Sequence, residues 1–214
     1  MNNTFSVNML KTYDTCIKKF DFKYNQKISM PQNPEFFEKG KKIHALANYY
    51  LRGANITKLE TAFSNAEKEA WEKLKFNEFF SKKCLHSEYN ITSKVGDYWV
   101  FGRLDALMKD GDDYFILDYK TGQIPQNPEY DFQTMVYLIC ADKILKQYNS
   151  LKFVYIDLKN NKNHVIEFSN SQRDIFENAI MSKCKAITET KNFDENLNIN
   201  NCKHCEYKKI CMPF

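Results

Sequence analysis

The chain has 214 residues, with 31 Lys or Arg against 27 Asp or Glu, a formal charge of +4 and a pI near 8.5. Hydrophobic residues at 43% and aromatics at 15% suffice for one substantial core. No run is long and apolar enough to span a bilayer, which excludes a membrane-spanning helix, and the mild positive balance permits nucleic-acid binding without requiring it. The N-terminus lacks the basic segment, apolar stretch and small-residue site of a secretory signal, so a cytoplasmic location is expected. Seven cysteines without such a signal argue against a disulfide framework and, where thiols cluster, for metal ligation.

Residues 4–28 read as a short helix followed by an extended aromatic and basic stretch, Phe20-Asp21-Phe22-Lys23-Tyr24. Asn33 and Pro34 supply the cap and first turn of a helix that runs to about Arg52, where Gly53 stops it. One further helix is expected over 59–80, then strands over 86–94, 98–108 and 114–120. Pro125 and Pro128 mark a loop before a helix over 129–147. A strand over 151–158 and a turn at Asn160–Asn163 lead to a strand over 164–168, and Ser171 caps a helix to about Thr190. Strands flanked by helices predict an α/β fold with a central mixed β-sheet, the helix over 129–147 crossing to a strand beside 114–120. The chain 1–214 is expected to form a single domain: an N-terminal helical part (1–85), a core of sheet and helix (86–170), and a C-terminal helix with a cysteine cluster (171–214).

The chemistry concentrates in Gly102-Arg103-Leu104-Asp105, in Asp118-Tyr119-Lys120-Thr121-Gly122, and in Gln133 with Tyr137. Side chains alternate along a strand, so Asp118 and Lys120 share a face and Tyr119 takes the other. A hairpin centred between Gly111 and Asp112 sets Asp105 opposite Asp118 and Arg103 opposite Lys120. Opposed Cβ atoms stand about 4.5–5.5 Å apart. Two carboxylates that close repel unless a cation lies between them or one is protonated, and magnesium or manganese suits oxygen ligands. Asp118 follows Phe115-Ile116-Leu117, a run that reads as buried, and a buried carboxylate needs a partner. The alternative is a surface hairpin with solvated charges. The set points to metal-dependent cleavage of a phosphodiester, with Lys120 orienting or deprotonating the attacking water. Gln133 and Tyr137, at i and i+4, share a helical face. Glu88 heads a strand whose hairpin near Gly96 brings it toward Leu104 or Asp105, but a solvated strand end is its preferred reading.

The C-terminus carries Cys202-x2-Cys205-x5-Cys211, three thiols that lack a fourth ligand. His204, Cys184 and Cys16 are the candidates. His204 sits inside the C-x2-C loop, where its ring points away from an ion. Cys84, Cys140 and Cys184 read as small core hydrophobes. Zinc and an iron–sulfur cluster both accept four thiolates, and the spacing does not separate them.

GRLD, DYKTG and QTMVY resemble the motifs of the PD-(D/E)XK nuclease superfamily in its RecB-like branch. Cys16 with Cys202, Cys205 and Cys211 resembles the split four-cysteine site of the CRISPR-associated RecB-like exonucleases and of AddB-type nuclease domains; the short length favours the former. Gly40-x3-His44 fits a pattern this family places in an N-terminal helix; without it, His44 would pass as structural. The resemblance implies a restriction-endonuclease-like nuclease core with an iron–sulfur staple joining the N- and C-terminal segments. It implies a Mg2+ or Mn2+ site at His44, Asp105, Asp118 and the Tyr119 carbonyl. Lys120 would act with Asp105 and Asp118, while Gln133 and Tyr137 support the site and contact the DNA backbone. Cys16, Cys202, Cys205 and Cys211 would hold a 4Fe–4S cluster, with Zn2+ as the alternative. Two departures stand out: Asp118 where many members have Glu, and Leu104 where the superfamily name has Pro.

The expected activity is that of a metal-dependent DNA exonuclease acting on single-stranded ends, in CRISPR spacer acquisition beside an integrase partner. Phe20, Phe22 and Tyr24 would either stack the strand or belong to the core, the more frequent case for such aromatics, with Lys191 and the Lys203–Lys209 tail adding basic contacts. Competing readings are a repair or phage nuclease of the same build, and a non-catalytic iron–sulfur subunit for DNA binding or assembly. The intact D…D-x-K set argues against the last.

Overall fold

The structure is a computed structural model that describes residues 3–31, 34–194, 199–203 and 205–211; the expected cap Asn33 and the candidate ligand His204 lie outside them. A short strand β1 (Thr4–Ser6) leads directly into α1 (Val7–Thr15), whose cap is Ser6, its Oγ accepting the Met9 N–H at 3.1 Å. Cys16 then breaks the helix with extended backbone and starts α2 (Ile17–Phe20), which continues into a π-helical turn over Asp21–Asn25. The stretch from Phe20 to Tyr24 is therefore helical, not extended as its composition suggested. Helical winding sets Phe20 and Phe22 inward, and both are buried.

Next come α3 (Pro34–Leu51), followed by Gly53 at φ 75°, α4 (Thr57–Thr61) and α5 (Asn65–Lys75). The single helix expected over 59–80 is two. Ser64 restarts the helix through a reciprocal capping box: its backbone N–H donates to Glu67 Oε2 at 2.7 Å while its Oγ accepts the Glu67 N–H. Three antiparallel strands follow, β2 (Lys83–Val95), β3 (Tyr98–Asp110) and β4 (Asp113–Lys120), joined by two-residue turns at Gly96 (φ 57°) and Gly111 (φ 58°). After a 3-10 turn at Pro128–Tyr130, Asp131 caps α6 (Phe132–Ile144). Strands β5 (Ser150–Asp157) and β6 (Lys162–Glu167) then form a hairpin. The cap of α7 (Asn170–Glu189) is Ser169, whose N–H reaches Gln172 Oε1 at 2.8 Å, not Ser171. Two single-turn helices, α8 (Ile199–Cys202) and α9 (Lys208–Cys211), carry Cys202 and Cys211, and Cys205 lies between them.

The six strands make one mixed sheet in the order β1-β3-β4-β5-β6, with β2 also on β3. β4 and β5 run parallel and α6 crosses between them, as the spacing of elements predicted. Helices cover both faces. Ile116, Leu151, Phe153 and Tyr155 pack with α1, α6 and α7. Phe115, Leu117, Tyr119, Val154 and Ile156 pack with α3 and α5 on the other side. Burial on both faces explains why β4 and β5 read as nearly continuous apolar runs.

One irregularity positions everything that follows. β2 lies along one edge of β3 for nearly its whole length. The other edge takes β1 at Trp99–Phe101 and β4 at Ala106–Asp110. Gly102-Arg103-Leu104-Asp105 falls between those two ladders, so the sheet forks at this motif.

Candidate active site

The hairpin register agrees with the sequence as far as Ala106 opposite Leu117, and there the ladder stops. Asp105, one residue on, offers its side chain instead: Oδ2 accepts the Tyr119 N–H at 2.9 Å. The fork exposes a second backbone segment, which Tyr137 of α6 fills. The Arg103 N–H donates to the Tyr137 hydroxyl at 3.1 Å, and that hydroxyl donates to the Arg103 carbonyl at 2.8 Å. The ring reaches this far only because residue 102 lacks a side chain; a Cβ there would stand 2.3 Å from Tyr137 Cε1.

Helix α3 enters from the opposite layer. His44 Nε2 lies 3.0 Å from the Tyr119 carbonyl, and Nδ1 lies 3.1 Å from Asp105 Oδ1 and 4.0 Å from Glu88 Oε1. Gly40, one turn earlier, permits this approach: a Cβ there would come within 3.3 Å of Thr121 Oγ1. Glu88 sits at φ 49°, a left-handed backbone uncommon for any residue but glycine. Its carboxylate is held by Arg103 Nε at 2.8 Å. Among the described residues, His44, Glu88 and Asp105 form a group whose ligand atoms lie within 4.8 Å of one another. The solvated strand end preferred for Glu88 is therefore corrected. A two-residue turn at Gly96 was the signal that would have set Glu88 beside Asp105; the backbone twist that aims it has no sequence signature.

Asp118 is 3% exposed. Gln133 donates its amide to Asp118 Oδ1, and Lys120 Nζ lies 2.8 Å from Oδ2. That contact is a charge pairing without hydrogen-bond alignment, which leaves Oδ2 a buried acceptor with capacity to spare. Gln133 and Tyr137 thus both turn inward. Tyr137 is buried with its hydroxyl spent on Arg103, which agrees with support of the site, the first part of the role expected of this pair.

The electrostatics fit a missing positive charge. Burial opposes a charged His44, yet the hydrogen bond and charge of Asp105, with Asp118 and the Tyr119 carbonyl behind it, push its pKa up to about 9. The ring thus serves two acceptors as an imidazolium. Burial raises Asp118, and the charge of Asp105 adds to it against the pull of Lys120. Burial likewise raises Glu88 despite Arg103. Lys120 loses by burial but gains more from Asp118, so it too is shifted up. Two carboxylates with raised pKa values, a histidine drawn into its charged form between acceptors and an under-used carboxylate oxygen make a donor set that could hold a divalent cation.

The four cysteines singled out in the sequence also come together. Cys16, Cys202, Cys205 and Cys211 line one cavity, closed on one side by Phe22 and Tyr207, whose rings stack at 5.5 Å. Burial raises the Cys211 thiol, and Cys16, Cys202 and Cys205 add to the shift. Among the described residues, no three of these sulfurs lie within 4.8 Å of one another. Cys140 and Cys184 are buried in the core, and burial raises both thiols to about 12. Phe20 and Phe22 are buried, which fits the core reading of these aromatics and not the stacking one.

Comparison with known proteins identifies the class. The chain belongs to the PD-(D/E)XK nuclease superfamily, whose model matches residues 4–212. Nucleases of this superfamily typically use divalent metals. The fold resembles the crystal structure of a "Putative exonuclease" from Eubacterium rectale, at 11% identity and a TM-score of 0.59, over 94% of this chain and 88% of that one. It also matches SSO0001 at 15% identity and a TM-score of 0.44, over 100% of this chain and 87% of that one. No curated protein matches the chain. Among the described residues, no helix is long and apolar enough to cross a membrane.

Proposed function

We propose that this chain, as one nuclease domain over 1–214, is a metal-dependent exonuclease that hydrolyses single-stranded DNA from its ends. The observation that carries the reading is the convergence of His44, Glu88, Asp105, Asp118 and Lys120 at the sheet fork. A Mg2+ or Mn2+ ion held by His44, Glu88, Asp105, Asp118 and the Tyr119 carbonyl would supply Lewis acidity to a phosphate oxygen and to the attacking water. Asp105 fixes the strand end through the Tyr119 N–H and so aims that carbonyl. Gln133 locks the rotamer of Asp118, and Asp118 in turn holds the Lys120 ammonium. Lys120 is the group placed to orient water and to offset charge on the phosphate in the transition state.

The four cysteines are proposed to hold a 4Fe–4S cluster. The four cysteines line one cavity, and the resemblance to the four-cysteine iron–sulfur nucleases favours the cluster over Zn2+. Its role is structural, joining the chain's two end segments. Seven thiols free of disulfides suit a reducing cytoplasm. Within this reading the biological task is trimming of DNA precursors for CRISPR spacer acquisition beside integrase proteins, which co-purification with an integrase would test.

Labelled single- and double-stranded DNA, with free or blocked ends, in magnesium and in manganese, is the direct assay. Asp105→Ala and Lys120→Ala should each lose roughly a hundredfold or more of cleavage while retaining DNA binding. Cleavage untouched by either change rejects the assignment. Iron content and visible absorbance of the purified protein test the cluster; a colourless, zinc-loaded protein overturns it.

A further inference from the structure

Strand β3 carries a row of exposed side chains outside the proposed metal-ligand set. Trp99, Phe101 and Arg103 alternate along one face and are 47%, 41% and 66% exposed, while Val100 and Leu104 between and beyond them are fully buried. The register sets Lys94, Thr92 and Asn90 of β2 opposite these three residues, and Thr4 and Ser6 of β1 beside Trp99 and Phe101. The row leads into the candidate active site, because Arg103 holds Glu88, which groups with His44 and Asp105.

We propose that Trp99 and Phe101 form a stacking platform for unpaired bases of a single DNA strand whose reacting phosphate lies at the Asp105–Lys120 site. The proposal rests on the nuclease reading of that site and adds the path by which substrate reaches it. Three observations choose the occupant. First, the residues paired with this row on the two flanking strands carry hydroxyl, amide and ammonium groups, unlike the apolar centre of a dry protein interface. Second, two residues advance about 6.6–6.8 Å along a strand, roughly twice the 3.4 Å step of stacked bases in one strand of a duplex. Each ring therefore meets a base drawn out of its stack, which a single strand provides and a duplex does not. Third, Arg103 and Lys94 put positive charge along the row, where phosphates follow the bases. The Arg103 side chain is itself 66% exposed, so a phosphate can approach it from solvent. Stacking on an aromatic face tolerates any base, as an exonuclease consuming a whole strand requires.

Tryptophan emission gives a direct test. The chain has two tryptophans, and Trp71 is buried, so a base on Trp99 acts on the exposed one. Full-length Lys120→Ala protein is titrated in calcium with an oligothymidine single strand and with a duplex of equal length. The single strand should quench emission, and Trp99→Ala should abolish the quench. Trp99→Ala and Phe101→Ala should each weaken single-strand binding roughly tenfold without lowering the thermal midpoint, and Lys94→Glu should weaken it further. Equal affinity in the parent and the Trp99→Ala/Phe101→Ala double variant, no quench, or a stronger quench by duplex overturns the platform. Manganese-dependent cleavage by the wild-type chain is measured in parallel, so the platform can fall while the nuclease reading stands, and the reverse.

Discussion

Glu88 shows how far a single residue departs from its pattern when chemistry is at stake. A left-handed backbone at a non-glycine residue costs about 1–2 kcal/mol, and here it turns a carboxylate out of the β2 ladder toward His44 and Asp105. If that carboxylate helps hold a cation, Glu88→Gln removes the charge and keeps the shape. Manganese should then raise the thermal midpoint of the wild-type protein by several degrees and that of the variant by clearly less, as read by thermal denaturation at fixed metal concentration. Equal shifts would remove Glu88 from the site. Asp118 and Lys120 were legible at this scale because strand alternation places them together. His44 needed the family pattern, since nothing about a lone histidine in a helix says what faces it. Glu88 was within reach of the hairpin register, but its twist comes from tertiary packing that no local propensity records.

The fork in the sheet explains the motif as an element. β3 changes neighbours between Phe101 and Ala106, and Tyr137 supplies the hydrogen bonds that neither β1 nor β4 makes there. Tyr137→Phe keeps the ring and strips the hydroxyl, leaving the Arg103 N–H and carbonyl short of partners. The expected cost is about 1–3 kcal/mol, seen as a lower urea midpoint with an unchanged slope; an unchanged midpoint would mean that water serves the backbone equally well. The register of the β3–β4 hairpin was legible from its turn at Gly111 as far as Ala106 opposite Leu117, but the expected pairings of Asp105 with Asp118 and Arg103 with Lys120 do not form because the ladder stops there. β1 was not legible, since three residues carry no period. The helix expected over 59–80 failed because the Ser64–Glu67 box outweighs continuity of apolar spacing. The stretch from Phe20 to Tyr24 failed because its aromatics, β-formers by propensity, are wound inward onto the core.

At the scale of the molecule the two end segments are tied without any metal. Lys19 pairs with Glu206 at 2.9 Å, Asn201 donates to the Thr15 carbonyl at 2.9 Å, and Tyr13 bonds Thr190 at 2.6 Å. A cluster on Cys16 would reinforce a seam already closed by polar contacts. Cys16→Ser should therefore bleach the visible absorbance and lower the thermal midpoint, while the manganese response at the fork persists; a variant that keeps its colour would remove Cys16 from the ligand set. The α/β layering was legible from the order of elements, whereas the meeting of both helical layers at one point was not, because it depends on the sheet dividing. That meeting has a consequence for synthesis. His44 arrives on one layer and Gln133 on the other, with the carboxylates between them. Glu88, Asp105 and Asp118 all precede α6 in the chain, so the clasp on Asp118 can close only once the later helix has docked on a sheet laid down before it.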